Sequence, residues 1–316
     1  MTRIDLTEWC THFIHRPDPD LRRQIRSMDR VKFIDLPTAF APNGEPIYVE
    51  PLETPKKLEK TETAYDVLLN ILYDGYIKSS WSIRRPETMN KSNIWSLKKL
   101  GASIYGPNSC VCFTEMPLYA FKEYTEQHKY AEFFGIAAKR KALYHLGARP
   151  VVYGLKNTAL AVEGDENYMQ HAQNLAKDSG LSLSEQYRYV VTVLKNRDDG
   201  AMVDWTHERE WRWADTDSHA KENFIPGLGI FIRGLSPSLK EFVLFVDSDK
   251  RIKPLLAELA ELSEMLGENN QHFYTYKSKK IWILSLSELE RQMEQKKNPY
   301  MRLDDIDLNS LPRFHL

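Results

Sequence analysis

The sequence predicts a mixed α+β domain, and three observations carry that expectation. Short β-branched and aromatic runs are dispersed among helical stretches without a strict β-α-β rhythm. One strongly amphipathic helix needs a sheet to pack on. A nine-residue window, Trp205 to Trp213, holds three of the chain's seven tryptophans together with two acids and two arginines, and it alternates.

Taken in chain order, residues 6–16 form an apolar and β-branched run closed by Pro17-Asp18-Pro19-Asp20, a strand ended by a turn. Residues 20–62 show no period and carry Pro37, Pro42, Pro46, Pro51 and Pro55, so they are expected to be an irregular excursion with a short helix at Leu21 to Met28. Thr63 to Gly75 is the clearest helix: Thr63 caps with Asp66 three residues on, Ala64, Leu68, Ile71 and Leu72 share a face, and Gly75 ends it. Ser109 to Glu115 is a strand closed by Met116-Pro117, with Phe113 and Glu115 on one face and Cys112 and Thr114 on the other. Pro150 to Gly154 is a short strand, and residues 165–197 are polar and expected to be helical.

The window at 205–213 follows. With the period of two that a strand requires, Thr206, Glu208, Glu210 and Arg212 fall on one face and the three tryptophans, His207 and Arg209 on the other. Carboxylates at i and i+2 sit about 7 Å apart, which at an effective dielectric of about 20 costs roughly 2 kcal/mol unless offset. Arg212 is the counter-charge at hand. Beyond the window, Gly229 to Arg233 and Glu241 to Val246 are expected strands, Pro254 opens a helix carrying Leu255, Leu259, Leu262 and Leu266 that stops at Gly267, and Ile281 to Leu286 is the expected last strand. The polar tail from about 293 is expected to be helical or loosely held.

Composition narrows the classes. The chain has 316 residues, 42% hydrophobic and 28% charged, with a net charge of −1, which excludes a globally basic nucleic-acid footprint. Basic clusters at Arg22-Arg23, Arg84-Arg85, Lys139-Arg140-Lys141 and Lys279-Lys280 are expected to be solvated faces. Three cysteines, Cys10, Cys110 and Cys112, cannot make an even disulfide set and are expected to be reduced, with Cys110 and Cys112 free and buried. With no apolar leader in the first residues and no apolar run of about 20 residues, the expected setting is the cytoplasm.

Among candidate chemistries, a metal hydrolase or nuclease could draw on Asp204, His207, Glu208 and Glu210. On a strand, however, His207 points away from the glutamates, and no His-Glu-x-x-His occurs, so no metal is expected. Cys110-x-Cys112 has no second cysteine pair to complete a zinc site. No P-loop or dinucleotide fingerprint is present. A chemistry in which one carboxylate on a strand suffices is transfer from a glycosidic donor, whose oxocarbenium-like transition state a carboxylate stabilises while a second base deprotonates the acceptor.

The ordered set Ala64-Tyr65-Asp66-Val67-Leu68-Leu69, Cys110-Val111-Cys112-Phe113-Thr114-Glu115-Met116-Pro117-Leu118, Arg149-Pro150-Val151-Val152-Tyr153 and Glu208-Arg209-Glu210-Trp211-Arg212 resembles bacterial abortive-infection proteins of the AbiGi type. These are distantly similar to the DarT-like ADP-ribosyltransferase toxins. The resemblance covers most of residues 6–250, with 20–62 as an insertion and 251–316 as a C-terminal helical and strand extension. It implies a split mixed or antiparallel sheet core flanked by helices, and an NAD-dependent ADP-ribosyltransferase acting on RNA or DNA in phage defence. A neutralising antitoxin or chaperone would restrain it, docking at 20–62 or on the tail. By the same resemblance Glu210 is the catalytic glutamate with Glu208 as its acidic partner, Glu115 lines the cleft, and Glu208 or Glu115 orients or deprotonates the acceptor. His15 or Arg16 would hold the donor ribose, Phe113 and Thr114 would line the cleft, and Arg212 would meet donor phosphate or act as a counter-ion. The first strand departs from the family's His-Phe-Thr-Arg, reading Ile14-His15-Arg16-Pro17. The alternatives from other classes are an inactive binding or antitoxin-like module and a metal-dependent nuclease.

Overall fold

The computed structural model describes residues 7–16, 39–40, 46–47, 62–79, 103–104, 110–127, 131–154, 160–161, 183–191, 193–195, 202–204, 206, 209–214, 227–231, 239–268 and 279–315. The expected helix at Leu21 to Met28, and Trp205, His207 and Glu208 of the window, lie outside the described residues.

Eight strands form the central sheet: β1 (Trp9–His15), β2 (Val111–Thr114), β3 (Ala131–Lys139), β4 (Arg149–Pro150), β5 (Glu210–Trp213), β6 (Glu241–Val246), β7 (Lys280–Ser285) and β8 (Arg313–His315). Their order across the sheet is β8-β7-β6-β3-β1-β2-β5-β4. Every neighbouring pair is antiparallel except β6 and β7, which run parallel. A parallel pair needs a crossover, and α4 (Ile252–Glu268) lies between the two in sequence. The other helices are α1 (Ala64–Asp74), α2 (Leu118–Gln127), α3 (Arg140–His145) and α5 (Leu286–Gln295). The α+β class is therefore the class observed, as a mostly antiparallel sheet flanked by helices.

The local signals explain several elements. In α1, Thr63 and Asp66 form the reciprocal capping box, and Gly75 takes the left-handed conformation at φ 75° that lets its N–H reach the Ile71 carbonyl. In α5, Ser285 caps the amide of Glu288. The central strand β3 has Phe133 and Ala137 on one face and Phe134, Ile136 and Ala138 on the other, buried on both. It shows no polar alternation because neither face meets water.

The two faces differ in what covers them. On one, a single apolar cluster joins α1 and α4, with Leu143 of α3 and Ala148, to Ile14, Phe113, Phe134, Trp211, Trp213, Phe242 and Ile283 of the sheet. On the other, the apolar cover is built on Trp9, Phe133, Phe245 and Leu284, with Phe121 of α2 and Leu289 of α5 seated on them. That second cluster reaches β1, β3, β6 and β7. It includes no residue of β2 or β5.

Several expectations are corrected. Residues 189–191 and 193–195 are strands, preceded by a 3-10 turn at 183–188, in a region expected to be helical. The expected strand at Gly229 to Arg233 sits two residues earlier, at Gly227–Gly229, where it pairs with Tyr76–Lys78. Helix α4 runs to Glu268 through Gly267. The chain does not end loosely: Met301, Leu303, Ile306 and Leu311 are buried, and β8 closes the sheet edge beside β7. The window is a strand from Glu210 onward, because Arg209 has φ 46°, a left-handed backbone that interrupts the extended run. Among the described residues, no helix is long and apolar enough to cross a membrane.

Candidate functional site

The half of the sheet that the second apolar cluster does not reach, among the described residues, carries the polar groups. Register fixes their neighbours: Thr114 of β2 lies opposite Thr11 of β1 on one side and opposite Glu210 of β5 on the other, and Cys112 lies opposite Arg212. Since alternate residues share a face, Thr114, Cys112, Glu210 and Arg212 form one patch. Its backs are Val111, Phe113, Trp211 and Trp213, which belong to the α1 and α4 core.

At the centre is an ion pair. Arg212 Nε donates to Glu210 Oε1 at 2.8 Å and its NH2 donates to Oε2 at 3.2 Å, a two-pronged contact between side chains only 5% and 12% exposed. The third guanidinium branch donates to the Tyr187 carbonyl at 2.7 Å. Burial works against the charge of Arg212, yet the Glu210 carboxylate and the two neighbouring sulfurs override it and hold the guanidinium well above its ordinary pKa. Glu210 is fixed from its backbone as well, its N–H donating to the Tyr153 hydroxyl at 2.9 Å. It opens β5 directly after the left-handed Arg209. Backbone held in a sparsely populated region is a recurrent mark of functional sites.

Two sulfurs complete the patch. Cys110 Sγ and Cys112 Sγ lie 3.9 Å apart, the first buried and the second exposed, which corrects the expectation that both are buried. Hydrogen bonding from Cys112 and the nearby Arg212 charge bring the Cys110 thiol down against the opposing effect of burial. Tyr187, in the 3-10 turn at 183–188, packs on Cys110 and Ala214 at the patch border.

Glu115 does not join this patch. It faces the opposite side, where its Oε1 accepts from Trp211 Nε1 at 2.7 Å and from Arg140 NH1 at 3.2 Å, and it is 8% exposed. Arg140, expected on a solvated basic face, is thus committed to a buried acid. Glu115 is a tie between β2, β5 and the start of α3, placed back to back with Glu210 across the sheet. Phe113 is likewise a core side chain of the α1 and α4 layer, 1% exposed. Thr114 does border Glu210; its hydroxyl accepts from the Met116 N–H at 3.0 Å.

His15 and Arg16 lie at the far end of β1. Thr11 is in register with Thr114, and His15 is four residues further on, roughly 13 Å along the strand at about 3.3 Å per residue. There the His15 ring meets the edge of Tyr124 on α2 and is exposed. The row that faces Glu210 is instead made by Thr11 and Thr114. Sequence reasoning missed Tyr153, Tyr187 and His12. His12 donates from Nδ1 to the Cys112 carbonyl at 2.9 Å, and burial lowers its pKa to about 4 in spite of that bond, so the ring is neutral. No local pattern signals these three: Tyr153 and His12 bond backbone groups of other strands, and Tyr187 offers its own carbonyl to Arg212. Among the described residues, no group of three or more His, Cys, Asp or Glu side chains converges as a metal site.

Compared with protein-family models, with curated proteins and with solved structures, the chain finds no match.

Proposed function

We propose that this protein is an NAD-dependent mono-ADP-ribosyltransferase, a distant version of that fold, with Glu210 as its catalytic carboxylate and a nucleic acid as acceptor. The observation that carries the reading is the placement of Glu210: a carboxylate at the first position of an interior strand, on the face that the second apolar cluster does not reach among the described residues, held by Arg212 and Tyr153. In this reading NAD is the donor substrate. Its glycosidic bond to nicotinamide breaks, nicotinamide leaves, and the ribosyl carbon bonds to the acceptor, which loses a proton. One oxygen of Glu210 stays with Arg212 while the other accepts a ribose hydroxyl and balances the positive charge that grows on the sugar. Thr114 and Thr11 stand in the same row and offer hydroxyls to the donor. Glu115 takes no part, being spent on Trp211 and Arg140. A role in phage defence and a neutralising protein that docks on the segment at 20–62 or on the tail from 293 rest on the family resemblance, and the cytoplasm as its setting rests on the sequence composition.

A second reading has its own supporting observation. Both oxygens of Glu210 are already satisfied by Arg212, an arrangement that suits a binding module keeping the shape of a transferase without turning over.

Purified protein incubated with NAD labelled on its adenylate portion, and with separate pools of DNA, RNA and protein, decides between them. Label on a nucleic-acid pool is expected, and Glu210→Gln should reduce it by at least about 100-fold, the loss typical of removing one transition-state contact. Full labelling by a folded Glu210→Gln variant would end the assignment of Glu210. No label on any pool selects the binding module.

A further inference from the structure

We infer that Cys110 and Cys112 form a two-thiolate site for a soft monovalent d10 metal ion of the copper(I) class. Alternation along the start of β2 puts both sulfurs on one face of the sheet, 3.9 Å apart, with Cys112 open to solvent as the point of entry. Strand geometry decides what such a pair can do. Cα atoms two apart in an extended strand are about 6.7 Å from each other, at the upper limit for a disulfide, and the sulfurs would have to close to about 2.05 Å. A bridging ion asks for the opposite adjustment. Two metal–sulfur bonds of about 2.3 Å span roughly 4.6 Å when collinear, so rotating one thiol by less than about 1 Å accommodates the ion with the strand left as it is.

The choice of ion follows from the ligand count. Zinc in a closed site takes four ligands, and no third His, Cys, Asp or Glu joins the pair among the described residues. Thiolates select soft ions, and copper(I) is satisfied by two. Two thiolates and one monovalent ion leave a net single negative charge, and it lies beside Arg212, the cross-strand partner of Cys112, whose guanidinium is also paired with Glu210. Loading breaks two S–H bonds, forms two S–Cu bonds and releases two protons to solvent; no electron changes hands because the ion arrives reduced.

The test is independent of NAD and of any acceptor. Under anaerobic, reducing conditions the full chain is titrated against copper(I) held by a colorimetric chelator, and the thiolate-to-copper absorption in the ultraviolet is followed. One ion per chain is expected to transfer, with zinc(II) failing to displace it. Cys112→Ser, at an exposed position, should weaken binding at least 100-fold while keeping the wild-type circular dichroism spectrum, and Cys110→Ser should do the same. Cys10→Ser, on the opposite face, should bind as the wild type does. Failure of the folded wild-type protein to take copper(I), survival of binding in the Cys110→Ser/Cys112→Ser double variant, or equal retention of zinc(II) would each overturn the inference.

Discussion

Strands β3, β6 and β7 bury apolar side chains on both faces, whereas β2 and β5 do so on one face and carry an ion pair and two thiols on the other. The same sheet thus contains a half whose stability is hydrophobic and redundant, and a half in which one face is electrostatic and each group depends on a named partner. A fully buried phenylalanine stabilises by about 2–3 kcal/mol through area removed from water, and its neighbours repack in part when it is lost. A buried ion pair contributes little net, yet losing one partner strands the other. The contrast says where substitutions should be merely costly and where they should also rearrange chemistry.

The contrast is sharpest at the aromatic stack. Phe245 packs against both Phe121 and Phe133, with ring centroids at 5.9 and 5.5 Å, and is fully buried. Phe245→Ala should lower unfolding free energy by about 3–5 kcal/mol in urea titration, with the geometry of the Glu210 patch unchanged. A loss below about 1 kcal/mol would mean the two-sided half is not the stabilising one.

Next in size is Arg212→Met, which leaves Glu210 without its counter-charge and should cost about 3 kcal/mol by the same measurement. Pairing it with Glu210→Gln should return most of that loss, giving a strongly non-additive cycle. Additive losses would show that the two side chains do not act as a unit in solution.

A smaller effect concerns pH. The pKa of His12 falls from 6.5 to about 4 on folding, so between those values the unfolded chain binds the extra proton. The contribution of this group is therefore complete above about pH 6.5 and is lost as pH falls toward 4. Urea midpoints measured across that window should decline with acidification in the wild type, and His12→Gln should flatten the slope. An equal slope in the variant would place the titration elsewhere.

Much of the local structure was legible. The capping box of Thr63 and Asp66, the glycine stop at Gly75 and the opposite facing of Phe113 and Thr114 follow from spacing, because each depends on residues within one turn or one pleat. The Glu210 and Arg212 pair was legible for the same reason. What spacing could not supply was non-local. Glu115 looked like a companion to Glu210 until Trp211 and Arg140, distant in sequence, turned out to hold it on the other face. Strand β3 escaped notice because two-sided burial erases the alternation by which strands are recognised. The end of the chain read as helical or loosely held because its polar residues outnumber Met301, Leu303, Ile306 and Leu311, which enter the core.

The left-handed turn at Arg209 has one more effect, on how the chain finds its fold. A strand can slide along its neighbour during folding, and a slip of one residue would bring Trp211 and Trp213 to the acidic face and drive Glu210 into the core. By halting the extended run immediately before Glu210, Arg209 gives β5 a defined first rung, and Glu115, whose N–H donates to the Arg209 carbonyl at 3.3 Å, reads that rung from the next strand. The kink works as an index mark, selecting one of two pairings that differ in every side chain they present.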